Sequence, residues 1–199
     1  MSSDIKVRTL TGAGIKTYIP SILKVQTEVL REFPYLSLNN AEAEMKYLKQ
    51  LSQSKDSIAV LVFDGPKIVG VSTGIPLEEH RPGFQKIFLD RIHNPSDYYY
   101  FGTSALMQEY RGRGIAHHFF DLRENHVKQL KKYKKICFTT VIRPKDHHKR
   151  PADYSSLDNF WKKRGYVEHK DLIVTLPWRE IGEEEPSHKP MNFWIKSLS

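Results

Sequence analysis

The chain has 199 residues, with 31 Lys and Arg against 23 Asp and Glu, a formal net charge of +8, and 39% hydrophobic and 12% aromatic side chains. This is enough for one good core and short for two domains, so a single domain over residues 1–199 is expected. No apolar run approaches the roughly 20 residues that a membrane helix needs, and the single cysteine, Cys137, excludes an intrachain disulfide.

Ile5 to Leu10 reads as a first strand. Ile15, Ile19, Ile22, Leu23, Gln26, Val29, Leu30 and Phe33 recur at helical spacing, with Pro20 suited to a first helical turn and Pro34 as the stop. Ala41 to Leu51 predicts a second helix. Ser57 to Phe63 and Lys67 to Ile75 are strand-like, and Asp64-Gly65 between them signals a hairpin turn. Residues 76–96 are irregular and polar, apart from a helical stretch at Phe84–Ile92. Asp97 to Met107 predicts a strand, Ile115 to Leu130 a helix and Ile136 to Ile142 a strand. Ser155 to Arg164 predicts a helix with Ser155 or Ser156 as N-cap and Gly165 as its stop. Val167–Leu176 and Met191–Leu198 are final strands flanking an acidic loop at Glu183–Glu185. The order predicts an α/β protein: one mixed sheet, helices on both faces, and a parallel right-handed crossover over 97–142.

The positive charge suggests an anionic partner: nucleic acid, an anionic membrane surface or a phosphorylated cofactor. The most informative stretch is Gln108-Glu-Tyr-Arg-Gly-Arg-Gly-Ile-Ala116, between a strand and an amphipathic helix. The first amides of a helix lack intrahelical acceptors, and the dipole makes that end positive, so an anion is stabilised there. Gly112 and Gly114 allow close backbone approach, while Arg111 and Arg113 add charge. The turn lacks the Gly-Lys-Ser/Thr of a Walker loop, and His117 stands where a dinucleotide fingerprint needs a third small residue. A surface turn whose glycines serve only geometry is the competing reading.

Arg111-x-x-Gly114-x-Ala116 resembles the signature of the GNAT (general control-related N-acetyltransferase) acyltransferase superfamily. Asn159-Phe-Trp-Lys-Lys-Arg-Gly-Tyr166 is similar to that family's late helix, and Lys189–Leu198 to its last strand. The resemblance implies a GNAT-like sheet of about seven strands with splayed central parallel strands, and an acetyl-CoA-dependent N-acetyltransferase. It implies that Leu106 and Met107 pair with the pantetheine arm, that amides of Arg111, Gly112, Arg113, Gly114, Ile115 and Ala116 hold the pyrophosphate, and that Asn159 and Trp161 border the cofactor. Direct attack by an amine on the thioester then needs a proton acceptor, because a free lysine-type amine has a pKa of about 10.4. It also needs oxyanion donors and an acid for the leaving thiolate.

The chain departs from the family where many members place that acid: Trp161 stands at the tyrosine position, and indole N–H is not a usable acid. Tyr154 and Tyr100 are the candidate catalytic residues. Tyr100 shares a strand face with Tyr98. Asp97, Glu78, Glu79 and His80 are further candidates for the base, unranked. Lys131–Lys135 and His147–Arg150 are basic clusters, read as solvated surface rather than nucleic-acid sites, with some lysines of these clusters alternatively near the cofactor's 3′-phosphate. The adjacent histidine pairs do not make a metal site, and no metal is expected. Expected partners are CoA and a small-molecule or peptide amine, with no membrane, in a cytoplasmic monomer or homodimer. The polar start Met1-Ser-Ser-Asp4, without a signal-peptide core, underlies the cytoplasmic expectation. Two alternatives stay open: a GNAT-fold acyl-CoA-binding or regulatory module without turnover, and a basic nucleic-acid-binding domain.

Overall fold

The computed structural model describes residues 4–38, 41–91 and 93–198; Met1–Ser3 and Ile92, which the sequence reading included, lie outside them. The elements are β1 (Ile5–Thr11), α1 (Ile19–Val29), α2 (Ala41–Gln53), β2 (Ile58–Asp64), β3 (Lys67–Pro76), α3 (Pro82–Leu89), β4 (Tyr98–Leu106), α4 (Ile115–Leu130), β5 (Lys135–Val141), α5 (Asp158–Lys163), β6 (Val167–Trp178) and β7 (Ser187–Ser197). The seven strands form one sheet in the order β1-β2-β3-β4-β5-β7-β6. Only β4 and β5 run parallel; every other neighbour pair is antiparallel.

Period-two alternation along β4 sends side chains to opposite faces. Tyr98 packs on Phe88 of α3, and Tyr100 on Phe84 and on His80. Tyr99 and Phe101 instead meet His126 and Phe120 of α4. Helices α2 and α3 therefore cover one face, and α4 the other. Helix α5 joins α4, with Trp161 against Phe138 of β5. On α4, Ile115, Phe119, Phe120 and Val127 are buried, as the amphipathic spacing predicts. Each such side chain contributes about 1.5–3 kcal/mol on burial. Gly65 takes a φ of 58°, the left-handed conformation the β2–β3 hairpin turn needs.

Boundaries differ from the sequence reading in several places. The long first helix divides into a 3-10 turn, Gly12–Tyr18, and α1, which starts with Pro20 in its first turn. Helix α1 ends at Val29 rather than at Pro34, because the Leu30 carbonyl turns away to receive the Ser37 amide. Asp97 lies in a 3-10 turn held by the Asn94 side chain, so β4 begins at Tyr98. Helix α5 is shorter than Ser155–Arg164 and has Leu157 as N-cap. The Ser156 hydroxyl instead accepts from the Asp158 amide, which turns the chain just ahead of the helix. Gly165, with a φ of 86°, ends α5 as expected.

Candidate active site

The central feature is a split in the sheet. The β4–β5 ladder contains three pairs, Tyr98↔Lys135, Tyr99↔Ile136 and Tyr100↔Cys137, and then stops. β4 runs on to Leu106 and β5 to Val141 without further pairing between them. β5 stays in register with β7 along its whole length, from Lys135↔Ser197 to Val141↔Met191. β4 stays with β3 but carries a bulge: pairing goes from Ser72↔Ser104 to Gly74↔Phe101, so Thr73 alone faces Gly102 and Thr103. A bulge bends its strand and increases the local twist. The bend falls just beyond the last β4–β5 pair, and the two strands diverge there. Gly102 and Thr103 are half-buried and Ser104 is exposed, so this stretch of β4 backbone borders an open cleft.

The same strand leads into the glycine turn before α4. Met107 lies just past β4, and its amide still donates to Val69 O at 3.0 Å. A 3-10 turn, Gln108–Tyr110, follows, anchored by Tyr110 Oη donating to Asp64 Oδ2 at 2.7 Å. Gly112 and Gly114 have φ values of 73° and 78°, a conformation that favours glycine. Gly114 is the N-cap of α4 and supplies no side-chain cap. The first-turn amides of Ile115 and Ala116 therefore point out of the helix end, and residues 111–114 are exposed. The arginines are arranged differently from the expected pair of anion ligands. Arg111 is bidentate to Glu32, at 2.7 and 2.9 Å, and donates to Leu106 O at 3.0 Å. Arg113 donates to Glu109 O and stacks on Tyr110. Arg111 thereby ties the loop after α1 to the turn, which leaves the backbone amides and the helix dipole as the groups there able to attract an anion.

Along the α4–α5 face the cleft is walled by aromatic rings. Phe138 contacts Trp161, Tyr166 and Phe120, and Trp161 also packs on Trp194 with centroids 5.2 Å apart. Next to this wall, a depression of about 550 Å³ is lined by His117, Asn159, Phe160, Lys163, Arg164 and Lys196. Arg164 and Lys196 are engaged by Glu124. The Lys131–Lys135 cluster lies elsewhere. Lys132 pairs with Asp56 and Lys134 with Asp97, beside Tyr98 at the closed start of the ladder. From there to Leu106, at about 3.3 Å per strand residue, is some ~26 Å.

Across the sheet, the face under α1, α2 and α3 holds the candidates Tyr100 and His80 together with Tyr47, Thr73 and Gln26, which sequence reasoning did not single out as site residues. Tyr100 Oη is buried and lies 2.8 Å from Thr139 Oγ1. Burial pushes the Tyr100 pKa well above that of a free tyrosine. Tyr154 is half-buried on the loop after β5, with its ring 4.7 Å from Phe33 and the Arg150 guanidinium 4.7 Å above it. Burial raises its pKa as well. No ring contact or hydrogen bond joins the two candidates among the described residues; Tyr35 interacts electrostatically with both, and burial pushes its pKa up to about 12. His80 is 6% exposed, and its ring centroid lies 4.4 Å from that of Tyr100. Burial, helped by neighbouring Arg81, pulls its pKa down to about 3, so the imidazole is neutral. Among the described residues its Nδ1 has no hydrogen-bond partner, nor have Tyr47 Oη, Thr73 Oγ1 or the Gln26 amide, all buried. Thr73 is close enough to draw the Tyr47 pKa slightly back down, yet neither hydroxyl completes a hydrogen bond of normal geometry. Unsatisfied buried polar atoms are rare and mark places where water or a ligand binds. The one available sequence signal was Gly102, since glycine inside a strand pattern suggests a bulge.

The remaining base candidates lie farther away. Asp97 is paired with Lys134, and Glu78 and Glu79 rim a separate polar depression with Asp56 and Lys132. Cys137 is buried, and burial pushes its thiol pKa well up. Among the described residues there is no cluster of His, Cys, Asp and Glu able to hold a metal, and no helix long and apolar enough to cross a membrane.

A seven-stranded mixed sheet, split after the start of a parallel pair and followed by a glycine turn opening a helix, defines the GNAT fold. No protein-family model matches the chain, and no curated protein matches it in sequence. Solved structures do match. The ribosomal-protein-alanine N-acetyltransferase of Brucella melitensis superposes with a TM-score of 0.61 at 13% identity, over 97% of this chain and 99% of that one. A GNAT-family acetyltransferase of Streptococcus pneumoniae gives 0.59 at 13% identity, over 98% and 100%. An acetyltransferase of Streptococcus agalactiae gives 0.57 at 12% identity, over 98% of each. At these identities the likeness establishes the fold.

Proposed function

We propose that the protein is a cytoplasmic N-acetyltransferase that moves an acetyl group from acetyl-CoA to an amine by direct attack in a ternary complex. The observation that carries this reading is continuity: the unpaired edge of β4 beyond Tyr100 leads directly into the Gly112–Gly114 turn and the positive end of α4. A linear thioester ending in a pyrophosphate fits such a track. The open backbone of β4, through Leu106 and Met107, would receive the amide-bearing arm, and the turn from Arg111 to Ala116 the phosphates. Trp161 would flank the arm. Asn159 and Lys163, at the 550 Å³ depression, would face the adenosine end.

In this reading the amine enters from the α1–α3 face. Gln26, Tyr47, Thr73 and His80 present unpartnered polar atoms there, so the amine would replace hydrogen bonds they lack. Its nitrogen forms a bond to the thioester carbonyl carbon, the C–S bond breaks, and the proton lost by the amine passes through water to solvent, from which the tyrosine that protonates the thiolate regains its own. Neutral His80 accepts a hydrogen bond, directly or through water, and orients the lone pair. Backbone amides of the bulged strand meet the oxyanion. The departing thiolate takes a proton from Tyr100, with Thr139 beside it, or from Tyr154. The high pKa of each keeps it protonated at neutral pH. The raised pKa of Cys137 argues against an acyl-cysteine route.

Trp161 favours a second reading, a module that holds an acyl-CoA without turnover, because a packed indole supplies no acid. Release of free CoA thiol from acetyl-CoA, measured with a panel of primary amines, separates the two. Amine-dependent release supports the enzyme; binding of acetyl-CoA with no release above the hydrolytic background for any amine supports the module.

A further inference from the structure

Resting on the acyl-transfer reading above, we propose that Arg123 is a positioning residue that spans the β4 bulge and places a permanent positive charge beneath the reacting thioester. The proposal begins from an unusual burial. Arg123, on α4, is 1% exposed, and among the described residues no carboxylate lies within ion-pair distance of it. The carboxylate of its neighbour Glu124 is occupied by Tyr166 at 3.1 Å, Lys196 at 2.8 Å and Arg164 at 3.3 Å. A guanidinium stays charged in such a place, while the desolvation is unfavourable unless its donors are matched.

They are matched to the bulge. Nε donates to Phe119 O, Nη1 to Thr73 O and Nη2 to Ser104 Oγ, each at 3.0 Å. Thr73 is the β3 residue that faces the two bulged residues, and Ser104 is the β4 residue at which regular pairing resumes. One planar fork thus holds both strands at the point where β4 bends away from β5. The plane is fixed by Phe101, whose ring centroid is 4.2 Å from Cζ, and Phe120 at 5.0 Å. From the opposite face, Thr73 Oγ1 and Tyr47 Oη crowd the Cα of Gly102. The bulge is clamped from both sides, and the clamp on the cofactor side carries a charge.

That charge has no direct counter-ion. The titratable groups facing it are Tyr166, Tyr99, Glu124 and Arg164, with Tyr47 beyond the bulge. The tyrosines are neutral, and Glu124 is shared among its own partners. Negative charge appears in the cleft when the thioester oxygen becomes an oxyanion and when the thiolate leaves. A fixed cation in a poorly solvated setting favours both. A lysine would keep the charge without the fork, and a methionine would keep the stem without the charge.

The test compares wild type, Arg123→Lys, Arg123→Met and Ser104→Ala. For Arg123→Met, kcat is expected to fall by about tenfold to a hundredfold, less than for loss of a direct oxyanion donor, with KM for acetyl-CoA changed far less. Arg123→Lys should recover part of the loss. CoA affinity measured by calorimetry from neutral to alkaline pH reports the pKa of the bound thiol. It should rise about tenfold more in wild type than in Arg123→Met, the equivalent of one pKa unit, with Arg123→Lys resembling wild type. A purely structural arginine would not produce that difference. Wild-type values of kcat and thiol pKa in a folded Arg123→Met protein overturn the proposal. If Arg123→Met does not fold, Ser104→Ala decides, since it unhooks one arm of the fork at an exposed position. A several-fold drop in kcat supports the clamp, and an unchanged kcat overturns it. Wild-type turnover with unaffected variants removes only this inference; absence of CoA binding by the wild type removes the acyl-transfer reading and this inference with it.

Discussion

Replacing Gly102 by alanine tests whether the bulge is as tightly enclosed as the packing indicates. A Cβ at this position would lie 2.5 Å from Thr73 Oγ1 and 2.8 Å from Tyr47 Oη. Thr73 is fully buried and Tyr47 is 6% exposed, and threonine is stiff at χ1, so neither hydroxyl swings aside freely. Overpacking of this kind costs about 1–3 kcal/mol. For a chain of this length each kcal/mol moves the melting temperature by about 2–4 °C, so Gly102→Ala should melt about 2–12 °C below wild type. Thr73→Ala removes the nearer obstacle and should rescue the double variant, with a coupling of about 0.5–3 kcal/mol in a double-mutant cycle. Thermal melts of the four proteins measure it. Because the displaced residue is in the bulge, kcat of Gly102→Ala should also fall at temperatures well below its melt. Unchanged stability of Gly102→Ala, or strictly additive effects, would refute the packing argument.

Gly112→Ala and Gly114→Ala meet no atoms within 4 Å but force alanine into a positive φ, at about 1 kcal/mol each. They should remain folded by circular dichroism while KM for acetyl-CoA rises about tenfold, because the amides proposed to receive the phosphates would shift. Tyr100→Phe and Tyr154→Phe compare the two candidate acids: the one that protonates the thiolate should lose about a hundredfold or more in kcat with little change in KM, and equal, unimpaired turnover of both would exclude the pair. His80 makes stability depend on pH. Its folded pKa of about 3 lies below its unfolded value near 6.5, so the unfolded state binds the extra proton as pH falls through that window. Stability should drop from about pH 6.5 towards pH 3, approaching about 1.4 kcal/mol per pH unit for this one group. Melts of wild type and His80→Gln across that range should differ in slope; identical slopes would contradict a buried neutral histidine.

Much of the fold was legible because its signals are local. Alternating strands, the Asp64-Gly65 hairpin, Pro20 in the first turn of α1 and the helix after Gly114 all follow from residue chemistry at short range. The glycine turn before α4 was legible for the same reason, since its glycines and the helix start are contiguous. What the sequence concealed depends on contacts between distant segments. Arg111 reads as an anion ligand until Glu32, from the loop after α1, takes its fork. Arg123 lies within the predicted helix 115–130 with nothing local to mark it, and only the convergence of Thr73 and Ser104 on it gives it a role. The end of α1 and the start of α5 moved because Ser37 and Ser156 captured backbone groups that periodicity cannot reveal. His80 was one of four base candidates without rank; packing against Tyr47, Phe84 and Tyr100 distinguishes it from Glu78, Glu79 and Asp97.

The central claim, that the split sheet and its glycine turn form an acetyl-CoA track, is most directly tested by isothermal calorimetry of the purified chain with acetyl-CoA, beside an oligonucleotide control. The account predicts saturable binding of one acetyl-CoA per chain, weakened in Gly114→Ala, and no comparable heat with the oligonucleotide. Absence of binding at millimolar acetyl-CoA, or affinity unaffected by Gly114→Ala, would contradict it.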